Sequence, residues 1–374
     1  MIAFTALAAL FVSGTFVPSI PEIARDLDTT PDVVSMAVSV SVLCVALGSM
    51  TFSSYSTCLL AQTGVAQSLV GLPLLSVGSF GVAWSHNTTE LFCWRVVQAL
   101  GASPGFSVGS GVVGDIYKLE ERGFAMGVFT GAALLGPALA PVAGGWAAHY
   151  SSWRHMQEAI GVAGFVTFVI MYFSFAETKH PKTKGIEKAR LRAQEEGRKP
   201  PRFVFLNPIG PMALLKSPVM LFTCIVGYTA LVSDFVLVIP IAYTIHSSYS
   251  SGLPVPHLDN PFRIALYFVP MGVGNFIGAP LAGRYSDYMV VKWRAHRNGI
   301  WYPEDRMRAT TPGLGVLIPL MLIACGLTTH FFFFNGIGID CVLSAVNSYC
   351  VDIMHEQSAE AISATQASAR CSVR

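Results

Sequence analysis

The stretch GVFTGAALLGPALAPVAGG, residues 127–145, is apolar enough for lipid and consists almost wholly of small residues. On a helix of about 3.6 residues per turn, one stripe about 80° wide holds Gly127, Gly131, Ala138, Pro141 and Gly145. Such a stripe lets a second helix approach backbone to backbone. Each proline is expected to kink the helix, because it lacks an N–H and clashes with the preceding turn. A soluble helix of this composition would be unstable, whereas lipid still favours helix, so the stretch predicts a transmembrane helix.

The composition indicates the same class of protein. Of 374 residues, 52% are hydrophobic and 12% charged, whereas soluble domains carry about 25% charged residues. A net charge of +2 gives no indication of a nucleic-acid partner. The eight cysteines lie mostly in apolar runs without metal-ligand spacing, and we interpret them as small buried residues. No protease, hydrolase or clustered His/Asp motif is present, so we expect neither an enzyme nor a metal or cofactor site.

Ten apolar runs are long enough to cross a bilayer, which takes about 17–25 residues. They cover roughly 2–20, 33–53, 64–84, 91–114, 123–147, 159–176, 218–245, 263–283, 312–329 and 331–353. A basic segment, 178–216, follows the sixth run and is typical of an amphipathic helix on the inner leaflet or of a plain linker. The sequence therefore predicts an all-α polytopic membrane protein with an N-terminal six-helix bundle (1–177), this linker, and a C-terminal bundle (217–374).

The distribution of basic residues predicts the orientation. With a cytoplasmic N-terminus, the inner loops hold 18 Lys and Arg residues and the outer loops 3. We therefore predict a multi-pass protein with its N-terminus in the cytoplasm, in the plasma membrane rather than the vacuolar membrane. The lipid bilayer is then its main partner, and we expect a monomer.

Three ionisable residues lie well inside predicted spans, away from the first and last residues: Arg95 in the fourth, Asp234 in the seventh and Asp340 in the tenth. Charged groups in the membrane are energetically expensive and commonly functional. A carboxyl group in a low-dielectric medium has a raised affinity for protons, as a proton-coupled transporter requires. The alternative is that each of the three forms structural hydrogen bonds between helices.

A second signal is GAPLAGRYSDYMVVKWR, residues 278–294, at the end of the eighth span. Gly283, Asp287, Lys292 and Arg294 suit a tight turn in which a carboxylate lies near a helix N-terminus. A basic loop after any membrane helix has a similar composition, so this segment alone does not specify a function.

Together these segments resemble the major facilitator superfamily, in its branch of drug:proton antiporters with twelve spans that is abundant in fungi. The resemblance covers nearly the whole chain and depends on five motifs. They are FTALAALFVSGTFVPSIPEIARDL (4–27), WRVVQALGASPGFSVGSGVVGDIYKLEERG (94–123), GAALLGPALAPVAGGW (131–146), SWRHMQ (152–157) and AET (176–178). It implies the major facilitator fold, with six helices in the first bundle and an incomplete second bundle.

The resemblance also implies roles for individual residues. Arg95 matches the arginine of the fourth span implicated in proton transfer, and Asp234 and Asp340 join it as proton-coupling candidates. The first, fourth, seventh and tenth spans of the family line the central cavity, which makes Gln98, Tyr228, Asn335 and Asn347 candidate cavity residues. The antiporter motif, implied to set antiport and limit leak, comprises Gly127, Gly131, Gly136, Pro137, Pro141, Gly144 and Gly145. The candidate gate residues are Asp115, Arg122, Gly283, Asp287, Lys292 and Arg294.

Two departures from the family pattern concern the gate. The family has a charged turn between the second and third spans, whereas residues 53–67 read SSYSTCLLAQTGVAQ, without a charge. The chain also stops at SATQASARCSVR (363–374), where the eleventh span is expected, which indicates a truncated sequence. Both partners of the family's latch are therefore expected to be absent. By pseudo-symmetry, we predict that the remaining turn places Asp287 near Arg122 and Gly123.

The sequence thus predicts a secondary transporter that exchanges protons for an exported small organic molecule or drug by alternating access. An organic acid, an amino acid or a polyamine is the alternative substrate, since Arg95 is able to hold an anion. The alternative function is that of a non-transporting membrane protein or an inactive fragment.

Overall fold

The computed structural model describes residues 2–58, 64–174, 210–230, 269–320, 332–354 and 358–372. Every regular element in these residues is helical, which confirms the all-α fold class. Asp234, the side chain of Asn335 and most of the predicted linker lie outside the described part of the chain.

The described residues of the first half contain eight α-helices. They are α1 (Ile2–Gly14), α2 (Ile20–Asp26), α3 (Pro31–Cys58), α4 (Gly64–Ala83), α5 (Thr88–Ala102), α6 (Pro104–Ile116), α7 (Arg122–Tyr150) and α8 (Trp153–Ser174). The first predicted span becomes α1, a 3₁₀ turn and α2. The fourth is divided into α5 and α6 at Ser103, because Pro104 has no N–H to continue the hydrogen-bond ladder.

The described residues of the second half contain five α-helices. They are α9 (Pro218–Ala230), α10 (Val269–His296), α11 (Glu304–Met307), α12 (Phe332–Ile353) and α13 (Ser358–Ser372). A 3₁₀ helix over Gly210–Lys216 precedes α9, and a π-helical turn over Gly313–Leu317 follows α11.

Four helical segments of the described residues are long and apolar enough to cross a membrane. They are Pro31–Ser54, Thr88–Ile116, Arg122–Ala147 and Trp153–Phe173. Shorter apolar helices cover Ala3–Gly14, Leu69–Ala83 and Pro218–Ala230. Large exposed side chains such as Phe173 and Phe222, 80% and 64% exposed, suit a lipid-facing surface.

Helix α7 lies between the two halves of the molecule and contacts both through small residues. On one face, Gly127, Gly131 and Ala138 meet α10, and a Cβ added at Gly131 would lie 2.8 Å from the Ala279 Cβ. The roughly opposite face meets α1, where a Cβ added at Gly136 would lie 2.9 Å from the Leu7 carbonyl oxygen. The sequence predicts one stripe of close approach, whereas the structure has two. The helix is continuous through both of its prolines.

The predicted tight turn within residues 278–294 is wrong. Helix α10 continues to His296, so Asp287 and Arg294 lie on its final turns. The chain reverses later, at Asn298 and Gly299, which have φ values of 54° and 93° in the left-handed region. Pro280 lies inside α10 without ending it, and no residue of the helix has a positive φ before Asn298.

The polar segment after Met354 also has a defined structure. Residues 358–372 form α13, which contacts α3, and the Ser53 and Ser363 hydroxyl oxygens are 2.7 Å apart. Ala361, Ile362 and Ser363 are completely buried. A helix of 15 residues is about 22 Å long, shorter than the bilayer core of about 30 Å. Helix α3 corresponds to the second expected span and α13 to the position of the eleventh, so the two do meet here. The described contact consists of hydroxyl and apolar groups, whereas the family pattern has a charged latch.

Candidate functional site

Asp287 joins the two halves of the molecule at the start of α7. Its Oδ1 accepts a hydrogen bond from the Gly123 N–H at 2.8 Å, and its Oδ2 accepts one from the Phe124 N–H at 2.7 Å. These amides belong to the first turn of α7, where the helix dipole favours a negative charge. The structure therefore places Asp287 beside Gly123, where the sequence analysis expects it.

Arg306 binds two carboxylates at the same end of the bundle. Its Nη1 donates to Asp287 at 2.9 Å and its Nε donates to Asp352 at 2.6 Å. Its Nη2 donates to the Leu119 carbonyl oxygen at 2.9 Å, so this side chain also contacts the first half. The guanidinium is completely buried.

Arg122 completes the arrangement from the side of α7. Its Nη1 lies 2.6 Å from the second oxygen of Asp352, and its Nη2 donates to the Gly114 carbonyl oxygen at 3.0 Å. We call Arg122, Asp287, Arg306 and Asp352 the charge cluster. It contains two arginines and two aspartates, so its formal charges cancel, and each carboxylate receives several donors as buried charges require.

The other candidate gate residues lie around this cluster. Gly283 is in close contact with the backbone of Gly123, where a Cβ would overlap the carbonyl oxygen. Arg294 forms an exposed ion pair with Glu120 at 2.7 Å. Lys292 is exposed over the Tyr288 ring at 5.9 Å, and Asp115 is half-buried near the end of α6. Of these residues, the structure therefore brings Arg122, Gly283 and Asp287 together and leaves Lys292 outside the cluster.

Sequence reasoning missed Arg306 and Asp352. Both lie near the ends of predicted spans, where charged residues are usually solvated. One available signal is that Asp352 is the penultimate residue of the tenth predicted span, at the same membrane face as Arg122. The loop between α10 and α12 is itself ordered by charge, because Arg297 donates to both oxygens of Asp305 at 2.7 Å. These hydrogen bonds raise the pKa of Arg297 above its usual value.

A second polar arrangement lies inside the first half. Arg95 is 2% exposed and donates from Nη1 to Gln98 Oε1 at 2.8 Å and from Nη2 to Ser41 Oγ at 3.0 Å. Its guanidinium lies over the Phe16 ring, with Cζ 4.1 Å from the ring centroid. Arg95 therefore connects α5 with α3 and with the turn that follows α1, through neutral groups. We call Arg95, Ser41, Gln98, Ser79 and Gln157 the neutral cluster.

Gln98 is held on its other side by the remaining members of that cluster. Its Nε2 donates to Ser79 Oγ at 2.8 Å and to Gln157 Oε1 at 2.9 Å. Because an arginine has only donors, Gln98 Oε1 must face Arg95, which fixes the amide orientation. Gln98 is completely buried among α4, α5 and α8. The structure thus places Gln98 inside the first bundle as a partner of Arg95, and not on the cavity surface that the resemblance implies.

The described candidates of the second half lie mainly on α12. Asp340 is completely buried and Asn347 is 3% exposed, and their spacing of seven residues places them on one face of the helix. Ser344 lies between them on that face and is also completely buried. Tyr228 is half-buried on α9. The hydrogen bonds of Arg95 are all to the first half, so the structure does not join it to these residues.

The antiporter-motif residues divide between the two faces of α7. Gly127 and Gly131 face α10, and Gly136 and Gly144 face α1. Pro137 and Pro141 are half-buried within the helix, and Gly145 is buried. The motif therefore sets the distance between α7 and two neighbouring helices, one in each half.

Comparison with known proteins agrees with this architecture. A family model described as "Major Facilitator Superfamily" matches residues 2–374. "Efflux pump radE" of Floropilus chiversii is 26% identical, over 94% of this chain and 68% of its own length. "Citrate exporter 1" of Aspergillus niger is also 26% identical, over 77% of this chain and 57% of its own. "MFS antiporter QDR3" of Candida albicans is 32% identical, over 48% of this chain and 25% of its own.

These matched proteins are named as transporters, not as enzymes, and the chain spans only part of their length. The family model, in contrast, extends over almost the whole of the chain. The all-helical architecture with several membrane-crossing segments is the one that this match requires. The protein therefore belongs to the major facilitator superfamily, as its motifs predict.

Proposed function

We propose that the protein is a proton-coupled secondary transporter that exports a small organic molecule by alternating access. The observation that carries this proposal is the charge cluster, which holds the two halves together at one end of the molecule. A transporter of this kind needs two halves that separate at one end while they close at the other. The printed names of the relatives, which include efflux pump and antiporter, support the same function.

The charge cluster is suited to a contact that forms and breaks. Its bonds between the halves join Gly123 and Phe124 to Asp287, and Arg122 to Asp352. When these bonds break, water replaces each partner, so part of the lost attraction is recovered as hydration. The positive-inside distribution supports a cytoplasmic location for this end. The described conformation is then the one closed toward the cytoplasm.

Helix α7 provides the surface on which the halves meet. Backbone contact between Gly127 and Ala279 lets α7 and α10 lie closely together without long side chains that would interlock. A smooth contact of this kind suits two helices that change their relative angle. The other face of α7 contacts α1, so movement of α7 is passed to the first bundle.

Proton coupling is assigned to residues within the membrane. We propose that Asp234 and Asp340 bind and release protons and that Arg95 responds to their change of charge. Asp340 lies completely buried in the middle of α12, and ionisable groups within the membrane commonly belong to proton or ion pathways. A change of charge there favours the conformation in which that group is hydrated.

The test uses the full chain in liposomes that contain a pH-sensitive dye, with an imposed proton gradient. Tetraphenylphosphonium serves as a cationic test molecule and citrate as an anionic one. We expect one of them to dissipate the gradient in a protein-dependent manner, and Asp287→Asn to reduce that flux about tenfold or more because the closed end is lost. The matched control is Glu120→Gln, which removes only an exposed ion pair. A flux equal to that of empty liposomes for both molecules, or a normal flux in Asp287→Asn, contradicts the proposal.

A further inference from the structure

Helix α12 carries a polar residue at every fourth position between its middle and its cytoplasmic end. These residues are Asp340, Ser344, Ser348 and Asp352, and we call them the α12 row. Side chains four residues apart are neighbours on a helix, separated by about 6 Å along its axis. Asp340, Ser344 and Ser348 are completely buried, and Asp352 is 8% exposed. The row therefore extends about 18 Å, from an intramembrane carboxyl group to a carboxylate of the charge cluster.

The two hydroxyl groups of this row are enclosed but make no hydrogen bond to the described part of the protein. This holds for Ser344 Oγ and Ser348 Oγ, and also for the neighbouring Asn347 Nδ2. Other buried serines differ, because Ser53 and Ser110 each donate to a carbonyl oxygen one turn earlier in their own helix. Buried polar groups are nearly always hydrogen-bonded, either to protein or to water. Water is therefore the partner that these groups indicate.

The first half of the molecule presents a similar hydroxyl group on α6. Ser107 is 2% exposed, and its enclosed Oγ also has no partner among the described residues. A Cβ added at Gly114, seven residues after Ser107, would overlap Val351 Cγ1, seven residues after Ser344. Residues seven apart share a helix face, and both helices run toward the charge cluster. Ser107 and Ser344 therefore face the contact between the two halves at about the same level.

At the level of Ser348, α6 presents a glycine. Gly111 lies three residues before Gly114, as Ser348 lies three residues before Val351. The atoms nearest to a Cβ added at Gly111 belong to α13, and they include the Ser358 Oγ at 3.5 Å. One water molecule bridges two oxygen atoms about 5.5 Å apart, because each of its hydrogen bonds is about 2.8 Å long. The spacing of the hydroxyl groups along α12 therefore suits bridging by single water molecules.

We infer that Ser107, Ser344 and Ser348 bind a chain of water molecules that carries protons between Asp340 and the cytoplasmic end of the molecule. The inference rests on the proposed function and specifies the path by which the proton leaves. When Asp340 releases its proton, the carboxyl O–H bond breaks, and each water or hydroxyl of the chain accepts one proton and passes on another. One proton reaches cytoplasmic water, and the negative charge remains on the Asp340 carboxylate.

The charge cluster closes the cytoplasmic end of this path. Both oxygens of Asp352 are held in ion pairs, one by Arg122 and the other by Arg306, each at 2.6 Å. These ion pairs separate Ser348 from cytoplasmic water in the described conformation. When the halves separate, the bond between Arg122 and Asp352 breaks and water reaches the end of the row. Proton release is then confined to the conformation open to the cytoplasm, as coupled exchange requires.

The test compares proton-coupled flux with proton-independent exchange of tetraphenylphosphonium and of citrate, using the full chain in liposomes. Coupled flux is read from an internal pH-sensitive dye under a proton gradient. Exchange of labelled for unlabelled molecules at equal pH needs no net proton release. We expect the double variant Ser344→Ala/Ser348→Ala to reduce coupled flux about tenfold and to leave exchange within about twofold of the unmodified chain. Ser344→Thr/Ser348→Thr keeps both hydroxyl groups and is expected to retain most of the coupled flux.

The matched control is Ser110→Ala, since Ser110 is completely buried but donates to a carbonyl oxygen of its own helix. It is expected to change neither rate. Size-exclusion chromatography shows whether each variant is folded, and the single alanine variants replace the double variant if it is not. Normal coupled flux in the alanine variants overturns the inference, as does an equal loss of coupled flux and exchange, and both results leave the proposed function standing. An unmodified chain without coupled flux of either molecule overturns the proposed function and this inference together.

Discussion

Arg306 and Arg95 are both fully buried guanidinium groups, yet their surroundings differ in charge. Arg306 binds two carboxylates, at 2.9 and 2.6 Å, whereas Arg95 binds two neutral oxygens, at 2.8 and 3.0 Å. Among the described residues, the first charge is paired with carboxylates and the second is in contact with neutral groups. Residue type and burial alone therefore do not distinguish the two arginines, because the charge balance of the neighbours decides whether a buried arginine forms ion pairs.

The difference also has a structural origin. The charge cluster gathers residues from the ends of α7, α10 and α12 and from the short helix α11, where several chain segments converge. The neutral cluster lies within four helices of one half, where the neighbours are small or uncharged. The charge cluster is suited to join the two halves. The neutral cluster is suited to stabilise the first half around the buried guanidinium of Arg95.

The largest loss of stability is expected from Arg306→Gln, which removes the guanidinium that binds both carboxylates of the charge cluster. It leaves Asp287 and Asp352 buried with fewer donors, and removing one partner of a buried pair destabilises a protein by about 3–5 kcal/mol. We expect a large decrease in the thermal unfolding temperature, measured by fluorescence-detected size-exclusion chromatography. Glu120→Gln breaks the exposed pair with Arg294 and is expected to change stability by less than about 1 kcal/mol. Equal effects from the two substitutions would contradict the assignment of the charge cluster as the main contact between the halves.

A smaller loss of stability is expected from Gly127→Ala. This substitution adds a methyl group at the contact between α7 and α10 and leaves the charged residues unchanged. The added Cβ would overlap the Ala279 carbonyl oxygen and lie 3.2 Å from the Pro280 Cα, so α7 and α10 must move apart. Overpacking of this kind typically costs about 1–3 kcal/mol. Gly315→Ala is the control, because its Cβ would have no neighbour within 4 Å. If both variants keep the unmodified unfolding temperature, the contact between α7 and α10 is looser than described.

The smallest effect on stability is expected from a substitution in the neutral cluster. Arg95→Gln removes hydrogen bonds and a cation–π contact, but it also removes an uncompensated buried charge. These terms oppose each other, so we expect a stability change within about 1 kcal/mol. The same thermal assay compares it directly with Arg306→Gln. A loss as large as that of Arg306→Gln would show that Arg95 is neutralised within the protein.

The sequence predicts several features of the fold and the candidate site. Apolar runs predict helices because the bilayer leaves backbone polar groups no other partner, and small residues predict close helix contacts. The position of Asp287 beside Gly123 follows from the motif and from pseudo-symmetry. The tight turn near Asp287 is wrong, since α10 continues to His296.

Other features depend on contacts that no local pattern contains. Arg306 lies on the short helix α11 and Asp352 at the end of α12, and only the fold brings them to Asp287. Gln157 likewise reaches Gln98 across 59 residues of sequence. The assignment of Gln98 to a cavity depends on which face of α5 points inward, and that face is set by packing with α4 and α8.

The sequence by itself determined the helical membrane class, the family and the identity of the charged residues, because hydrophobic length and small-residue motifs act locally along each helix. The tertiary structure decided which charges are cancelled. Coulomb interactions in a buried medium depend on distances of a few ångströms between segments far apart in the chain. Arg122 and Arg306 are therefore paired with aspartates from other helices, while the described neighbours of Arg95 are neutral groups of its own bundle.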